Sequence, residues 1–353
     1  MSATAPGAGQ AVSRRSVLGA GLGGALALGL SGCAGGGYAG PVRTLAIAAG
    51  EPGGFYIEFA ELLAAEIEAE EPKLRAVPVS TGGSQDNLRM LAEGRADLAL
   101  ALADAAQSTA GLRSPLLAIG RVYENYLQLV VPAESRITEL ADLAGRTASL
   151  GAQGSGAELT GDRLLVAAGL VTAGPPAATG PHATGQGATG PGATDLEPGP
   201  AAPVRVQHRQ LADAVAALAE GQIDALLWSG GVPTPALAAL AARRPIRLLP
   251  LERVIQALRA AYGPVYEPTP LPADAYGPAG PVTTIGVANL LVCHPGADPS
   301  LTATVARVLV TGAARLVPQQ ALGTQFLDPR SLIVTAGIPL HPGAVAAYRR
   351  LHG

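Results

Sequence analysis

The chain is almost without lysine: Lys73 is the single one among 24 basic residues, against 27 acidic ones, for a net charge of −3. No strong field of either sign is therefore present to hold nucleic acid or an anionic membrane surface. Two cysteines, Cys33 and Cys293, are too few for a disulfide framework or a zinc site. The five histidines, His182, His208, His294, His341 and His352, fall at no metal-ligand spacing. No metal and no other cofactor is expected. Catalytic signatures are equally scarce. Gln153 and Ala157 flank Gly154-Ser155-Gly156, so there is no Gly-x-Ser-x-Gly elbow. The lone lysine follows Pro72, outside any phosphate loop, and no Gly-x-Gly-x-x-Gly follows the first strand. Cys293 ends the apolar run Leu290-Leu291-Val292 and reads as an inert buried thiol. The chain is not expected to be an enzyme.

What the sequence does contain begins with an address. Arg14-Arg15 precede an apolar, glycine-rich run from Val17 to Leu30, which ends in Leu30-Ser31-Gly32-Cys33. A basic start, a short apolar stretch and small residues at its end form a secretory signal. The run is too short to span a bilayer comfortably. Leu-Ser-Gly-Cys resembles the lipobox of bacterial lipoproteins, which makes residues 1–32 a signal peptide and Cys33 the lipidated N-terminus. Ser-Arg-Arg-Ser also looks like a twin-arginine signal. Residues 33–41 then form a tether. The expected location is the extracytoplasmic face of the cell membrane, with membrane contact through the lipid alone.

From Val42 onward apolar strands alternate with amphipathic helices, the pattern of an α/β protein. Residues 44–48 read as a strand, 57–67 as a helix ended by Pro72, and 76–79 as a strand. Residues 87–93 read as a helix stopped by Gly94, and 97–102 and 225–227 as strands. Leu91-Ala92-Glu93-Gly94-Arg95-Ala96-Asp97-Leu98 has an echo in Leu218-Ala219-Glu220-Gly221-Gln222-Ile223-Asp224-Ala225. In each copy a helix stops at a glycine suited to the left-handed cap, and a strand follows. The echo implies either two lobes built from similar units or chance reuse of a common turn. Residues 172–203 break the pattern with Ala-Thr-Gly repeats at 178, 183 and 188. With almost no large apolar residue, this segment is expected to be a disordered insertion.

Four glycine-rich turns stand directly before helices: Gly50-Glu51-Pro52-Gly53-Gly54, Thr81-Gly82-Gly83-Ser84, Gly151-Ala152-Gln153-Gly154-Ser155-Gly156 and Ser229-Gly230-Gly231-Val232-Pro233-Thr234. Glycine lets backbone amides approach a ligand, and a helix N-terminus presents unpaired donors with a partial positive charge. Together they bind carboxylate or phosphate without a basic side chain. For any single turn, capping is the simpler explanation; Ser155 and Glu158 match a capping box. Two such turns on each side of residue 130 favour a cleft between two lobes. Tyr56 is placed to close over a ligand. Asp104 reads either as a helix cap or as a contact, and Trp228 either as core or as a wall of the cleft.

The order of these blocks resembles the TAXI family of solute receptors, the binding subunits of TRAP-type transporters. The similarity runs through Gly53-Gly54-Phe55-Tyr56, Thr81 to Leu88, Gly151 to Glu158, Gly221 to Ala225 with Gly231 to Pro235, and Pro339 to Ala344. It extends from about Val42 to Tyr348 apart from the insertion. The resemblance implies a two-lobed, type II periplasmic binding protein fold with a hinge. Lobe 1 would hold residues 42–129 and 248–353, and lobe 2 residues 130–247. It implies a small anionic solute, a glutamate-like amino acid or a dicarboxylate, delivered to an integral TRAP permease. A membrane sensor kinase is the alternative partner. The candidate contacts are then Gly54, Phe55 and Tyr56; Thr81, Gly83, Ser84 and Asn87; Gln153, Gly154, Ser155 and Gly156; and Trp228, Gly231 and Thr234, with Asp104. Leu102-Ala103 precede Asp104 where the family has Gln-Ser, which removes two polar contacts.

Overall fold

The computed structural model describes residues 37–109, 116–170, 202–272, 275–277, 280–318, 327 and 330–352. The signal, Cys33 and residues 172–201 of the expected insertion lie outside the described residues. Among the described residues no helix is long and apolar enough to cross a membrane.

The chain opens with β1 (Arg43–Ala48), α1 (Phe55–Glu70), β2 (Leu74–Val79), α2 (Ser84–Ala92), β3 (Leu98–Leu102) and α3 (Ala103–Thr109). Helix α1 buries Phe55, Phe59, Leu63 and Ile67 along one stripe, the spacing that an amphipathic helix needs. All five residues of β3 are buried, as expected of a parallel strand covered on both faces. A 16-residue strand follows, β4 (Leu117–Pro132). Then come β5 (Thr147–Ser149), α4 (Gly156–Ala167), β6 (Arg205–Gln207), α5 (Leu211–Ala219), β7 (Ala225–Gly230) and α6 (Pro235–Ala241). The chain returns through β8 (Ile246–Leu248), α7 (Glu252–Tyr262), β9 (Tyr266–Leu271) and β10 (Val282–Cys293), and ends in α8 (Pro299–Thr311) and α9 (Pro342–His352). Strand β7 runs through Trp228 to Gly230, beyond the Leu227 end expected from sequence, because Tyr126 to Val130 of β4 pair with it along that length.

Strand order is β2-β1-β3-β10-β4-β7-β5-β6, with β8 on β4 and β9 on β10. The order is symmetric. Parallel β2-β1-β3 meets antiparallel β10, and parallel β6-β5-β7 meets antiparallel β4. These are the two lobes, and the sequence echo falls at the same place in each. Gly94 and Gly221 have φ of 69° and 73°, the left-handed region where a side chain is strained. Asp97 Oδ2 accepts from the amide of Ala46 in β1 at 2.9 Å, while Asp224 Oδ2 accepts from Thr147 in β5 at 2.8 Å. Each aspartate ties the start of its strand to the parallel neighbour.

Strands β4 and β10 pair with each other and run through both lobes, with register shifts at Asn289/Leu290 and Leu291/Val292. Three cores result. One lies under α1, α8 and α9. A second lies under α5 and α6. The third is continuous from Leu88 and Leu102 through Leu164 and Leu165 to Leu258 and Tyr266, so apolar packing joins the lobes. Helix α7 contacts both α4 and β9.

Candidate functional site

The four glycine turns face one another. Their residues line a single cleft together with Leu102 and Asn125. From the first lobe come Gly54, Phe55 and Tyr56 at the start of α1, with Gly83 and Ser84 at the start of α2. From the second come Ser155, Gly156 and Ala157 at the start of α4, and Trp228 to Gly230 at the end of β7. The first-turn amides of Phe55 and Tyr56, of Ser84, and of Gly156 and Ala157 find no acceptor among the described residues. Three helices thus bring unpaired donors and the positive ends of their dipoles to one place. That is the arrangement suited to an anion.

The lobes are closed on each other around this cleft. Asp86 N–H donates to Gly154 O at 3.0 Å, and Gln85 Nε2 donates to Ser155 O at 2.9 Å and to Glu158 Oε2 at 3.1 Å. On the opposite rim Leu211 N–H, at the start of α5, donates to Glu51 Oε2 at 2.8 Å. Glycine is required where the lobes meet. A Cβ on Gly156 would lie 2.5 Å from Leu102 Cδ1 and 2.7 Å from Ser84 Oγ.

Seven other candidate residues face elsewhere, because the framework takes up their polar groups. Asn87 donates to the carbonyls of Ala49 and, at 2.7 Å, Leu100, and accepts from Thr81 Oγ1 at 2.6 Å. That pair braces β1 against β3. Gly154 N–H is held by Glu158 at 2.6 Å, and Gln153 presents its carbonyl to Gly82. Thr234 Oγ1 donates to Gly231 O at 2.7 Å and receives Gln128 Nε2 at 3.2 Å, while Gly231 packs on the Phe55 ring. The two candidate serines line the cleft with occupied hydroxyls. Ser84 Oγ accepts from Leu102 N–H and lies 3.0 Å from Tyr56 Oη; Ser155 Oγ caps α4 through Glu158 N–H.

Asp104 is fully buried below the cleft, in the first turn of α3. Its Oδ2 accepts from Thr160 Oγ1 of α4 at 2.8 Å and from Tyr266 Oη of β9 at 3.0 Å, and Arg163 Nη1 stands 3.5 Å away. Arg163 also donates to Tyr266 Oη at 2.9 Å and lies over the Tyr262 ring. Burial raises the Asp104 carboxyl above the usual aspartate value even against Arg163 and these donors. Burial likewise raises Glu51, against the Leu211 amide and with Asp213 adding to the effect. Such groups bind protons more tightly folded than unfolded, so stability falls as pH rises from the ordinary carboxylate range through the raised values. The apo protein is therefore expected to melt higher near pH 5 than at pH 7. Below that the trend reverses, as carboxylates held low by partners, such as Glu66 on Arg315 and Asp298 on Ser300, become protonated. Calorimetry at constant ionic strength checks this; a melting temperature falling steadily from pH 7 to 5 refutes it.

Three polar side chains at or beside the cleft, Glu51, Asn125 and Asn289, are not among the candidates read from the sequence. Asn125 is 2% exposed, and its Oδ1 has no partner. Glu51 Oε1 and Trp228 Nε1 are buried and unpartnered too. Asn289 accepts from Tyr56 Oη at 2.5 Å. Both asparagines stand mid-strand in the two long, largely buried strands that cross between lobes, and a buried amide there requires a polar partner. Cys293 is fully buried, and burial pushes its thiol up to about 12, far from nucleophilic.

Two symmetric parallel sheets, linked by two long antiparallel strands around an interlobe cleft, define the type II periplasmic binding protein fold. The chain belongs to the NMT1-like family, whose profile matches residues 47–184 and 201–350. Among solved structures it is similar to a protein of Bordetella bronchiseptica RB50, at 15% identity over 88% of this chain and 98% of that one, with a TM-score of 0.51. It also matches the alkanesulfonate-binding protein SsuA of Xanthomonas axonopodis pv. citri bound to MOPS, at 18% identity over 88% and 84% of the two chains, TM-score 0.46. A third match is the GluR0 ligand-binding core of Nostoc punctiforme in complex with (L)-glutamate, at 11% identity over 76% and 94%, TM-score 0.43.

Proposed function

We propose that this chain is an extracytoplasmic solute receptor that closes on a small carboxylate and delivers it to a membrane permease. The observation that carries the reading is the convergence of unpaired first-turn amides from α1, α2 and α4, contributed by both lobes, on one cleft. Backbone donors of this kind hold an anion without a counter-charge that would have to be desolvated. Among the described residues the cleft lining includes no lysine, arginine or histidine, so the amides are the source of positive potential there. Hinge motion about β4 and β10 admits and traps the solute. The lipobox resemblance supports attachment through Cys33, and the block order supports a permease of the TRAP type.

The test is a thermal-shift screen of the mature chain against small carboxylates, sugars and amines. A carboxylate at about a thousand times its dissociation constant is expected to add roughly 4 kcal/mol. Stabilisation by neutral sugars or simple amines alone counts against the reading.

A further inference from the structure

The cleft holds one acidic side chain that its own protein does not satisfy. Glu51 is 7% exposed. One of its oxygens, Oε2, accepts the Leu211 amide across the cleft; the other, Oε1, is buried without a partner. Among the described residues no basic side chain lines the cleft, and Asp213 adds negative charge near Glu51 rather than offsetting it. Buried carboxylate oxygens persist where something donates to them. Asn125 Oδ1 and Trp228 Nε1 are the other unpartnered side-chain atoms of the described lining, and neither is in hydrogen-bond contact with Glu51. The donor that completes Glu51 is therefore not among the lining side chains.

We infer that Glu51 determines specificity, and that the solute carries a protonated amine for Glu51 as well as the carboxylate held by the helix amides. This rests on the carboxylate reading above and adds a second requirement to it. The amine donates to Oε1, keeping the carboxyl ionised while Oε2 continues to hold the start of α5. Recognition and closure then pass through one side chain. A dicarboxylate is refused, because its second carboxylate would face Glu51 with no cation between them. A protonated Glu51 makes the opposite selection, since it would donate to a second carboxylate and favour the diacid.

The experiment uses pairs of compounds that differ by the amine: L-norvaline and valerate, L-glutamate and glutarate, 4-aminobutyrate and butyrate. Binding to the mature chain is read from the fluorescence of Trp228, the single tryptophan, which lines the cleft. The amine-bearing member of at least one pair is expected to bind about 30-fold or more tightly than its partner, the scale of a charge-assisted hydrogen bond. Glu51→Gln keeps the side-chain shape and an acceptor for Leu211. It is expected to bring that ratio within about 3-fold while the apo melting temperature stays close to wild type. Equal or tighter binding of the members lacking an amine overturns the role of Glu51 and leaves the carboxylate reading standing. So does a ratio unchanged in Glu51→Gln. If no compound of any pair binds, the carboxylate reading falls, and this inference with it.

Discussion

Asp104→Ala is expected to destabilise the apo protein by about 3–5 kcal/mol, the range for removing one partner of a buried ion pair. The loss follows from what remains behind. Thr160 Oγ1 and Tyr266 Oη lose their shared acceptor, and Arg163, which is 16% exposed, loses its carboxylate inside the core that joins the lobes. Asp104→Asn is expected to be much milder. It keeps an acceptor for both hydroxyls, and burial at this site favours an uncharged group over a carboxylate. Chemical denaturation of the two variants beside wild type decides the matter. Equal stability of wild type and Asp104→Ala would mean that the network contributes nothing to the closed fold.

The second large effect concerns closure. Gly156→Val is expected to fold, because Gly156 opens a helix and lies outside the positive-φ positions. Its first side-chain atom, however, meets Leu102 Cδ1 and Ser84 Oγ of the opposite lobe. The branched side chain keeps α2 and α4 apart and pulls the amides of Gly156 and Ala157 away from those of Ser84 and Tyr56. Any carboxylate that stabilises the wild type is expected to bind about 100-fold or more weakly, a loss near 3 kcal/mol. Titration calorimetry on wild type and variant, with melting curves as the folding control, measures it. Unchanged affinity in a folded variant is incompatible with a ligand held between these helices.

The sequence made one layer of this molecule readable and hid another. Strands such as β3 stand out because burial on both faces demands an unbroken apolar run. The turn glycines stand out because backbone approach and left-handed caps exclude most side chains. Even the echo at Gly94 and Gly221 was visible, though not that Asp97 and Asp224 brace equivalent strand pairs. Hidden were matters settled by long-range pairing. Nothing local in β4 says that it pairs with β10 and β8 as well as β7, so Asn125 could not be placed at the cleft. Proximity to a turn also says little about direction. Thr81 and Asn87 lie about as near the glycine turns in sequence as Tyr56 does, yet their polar atoms are drawn into strand bracing. Glu51 stood inside a quoted turn; its meaning depends on an amide 160 residues away.

The symmetric strand order has one further consequence. Strand β4 follows the first parallel triplet along the chain but borders β7 of the second, and β10 follows the second but borders β3 of the first. Each half donates a border strand to its counterpart, as in an intramolecular domain swap, and neither half in isolation contains the full complement of strands its own sheet requires.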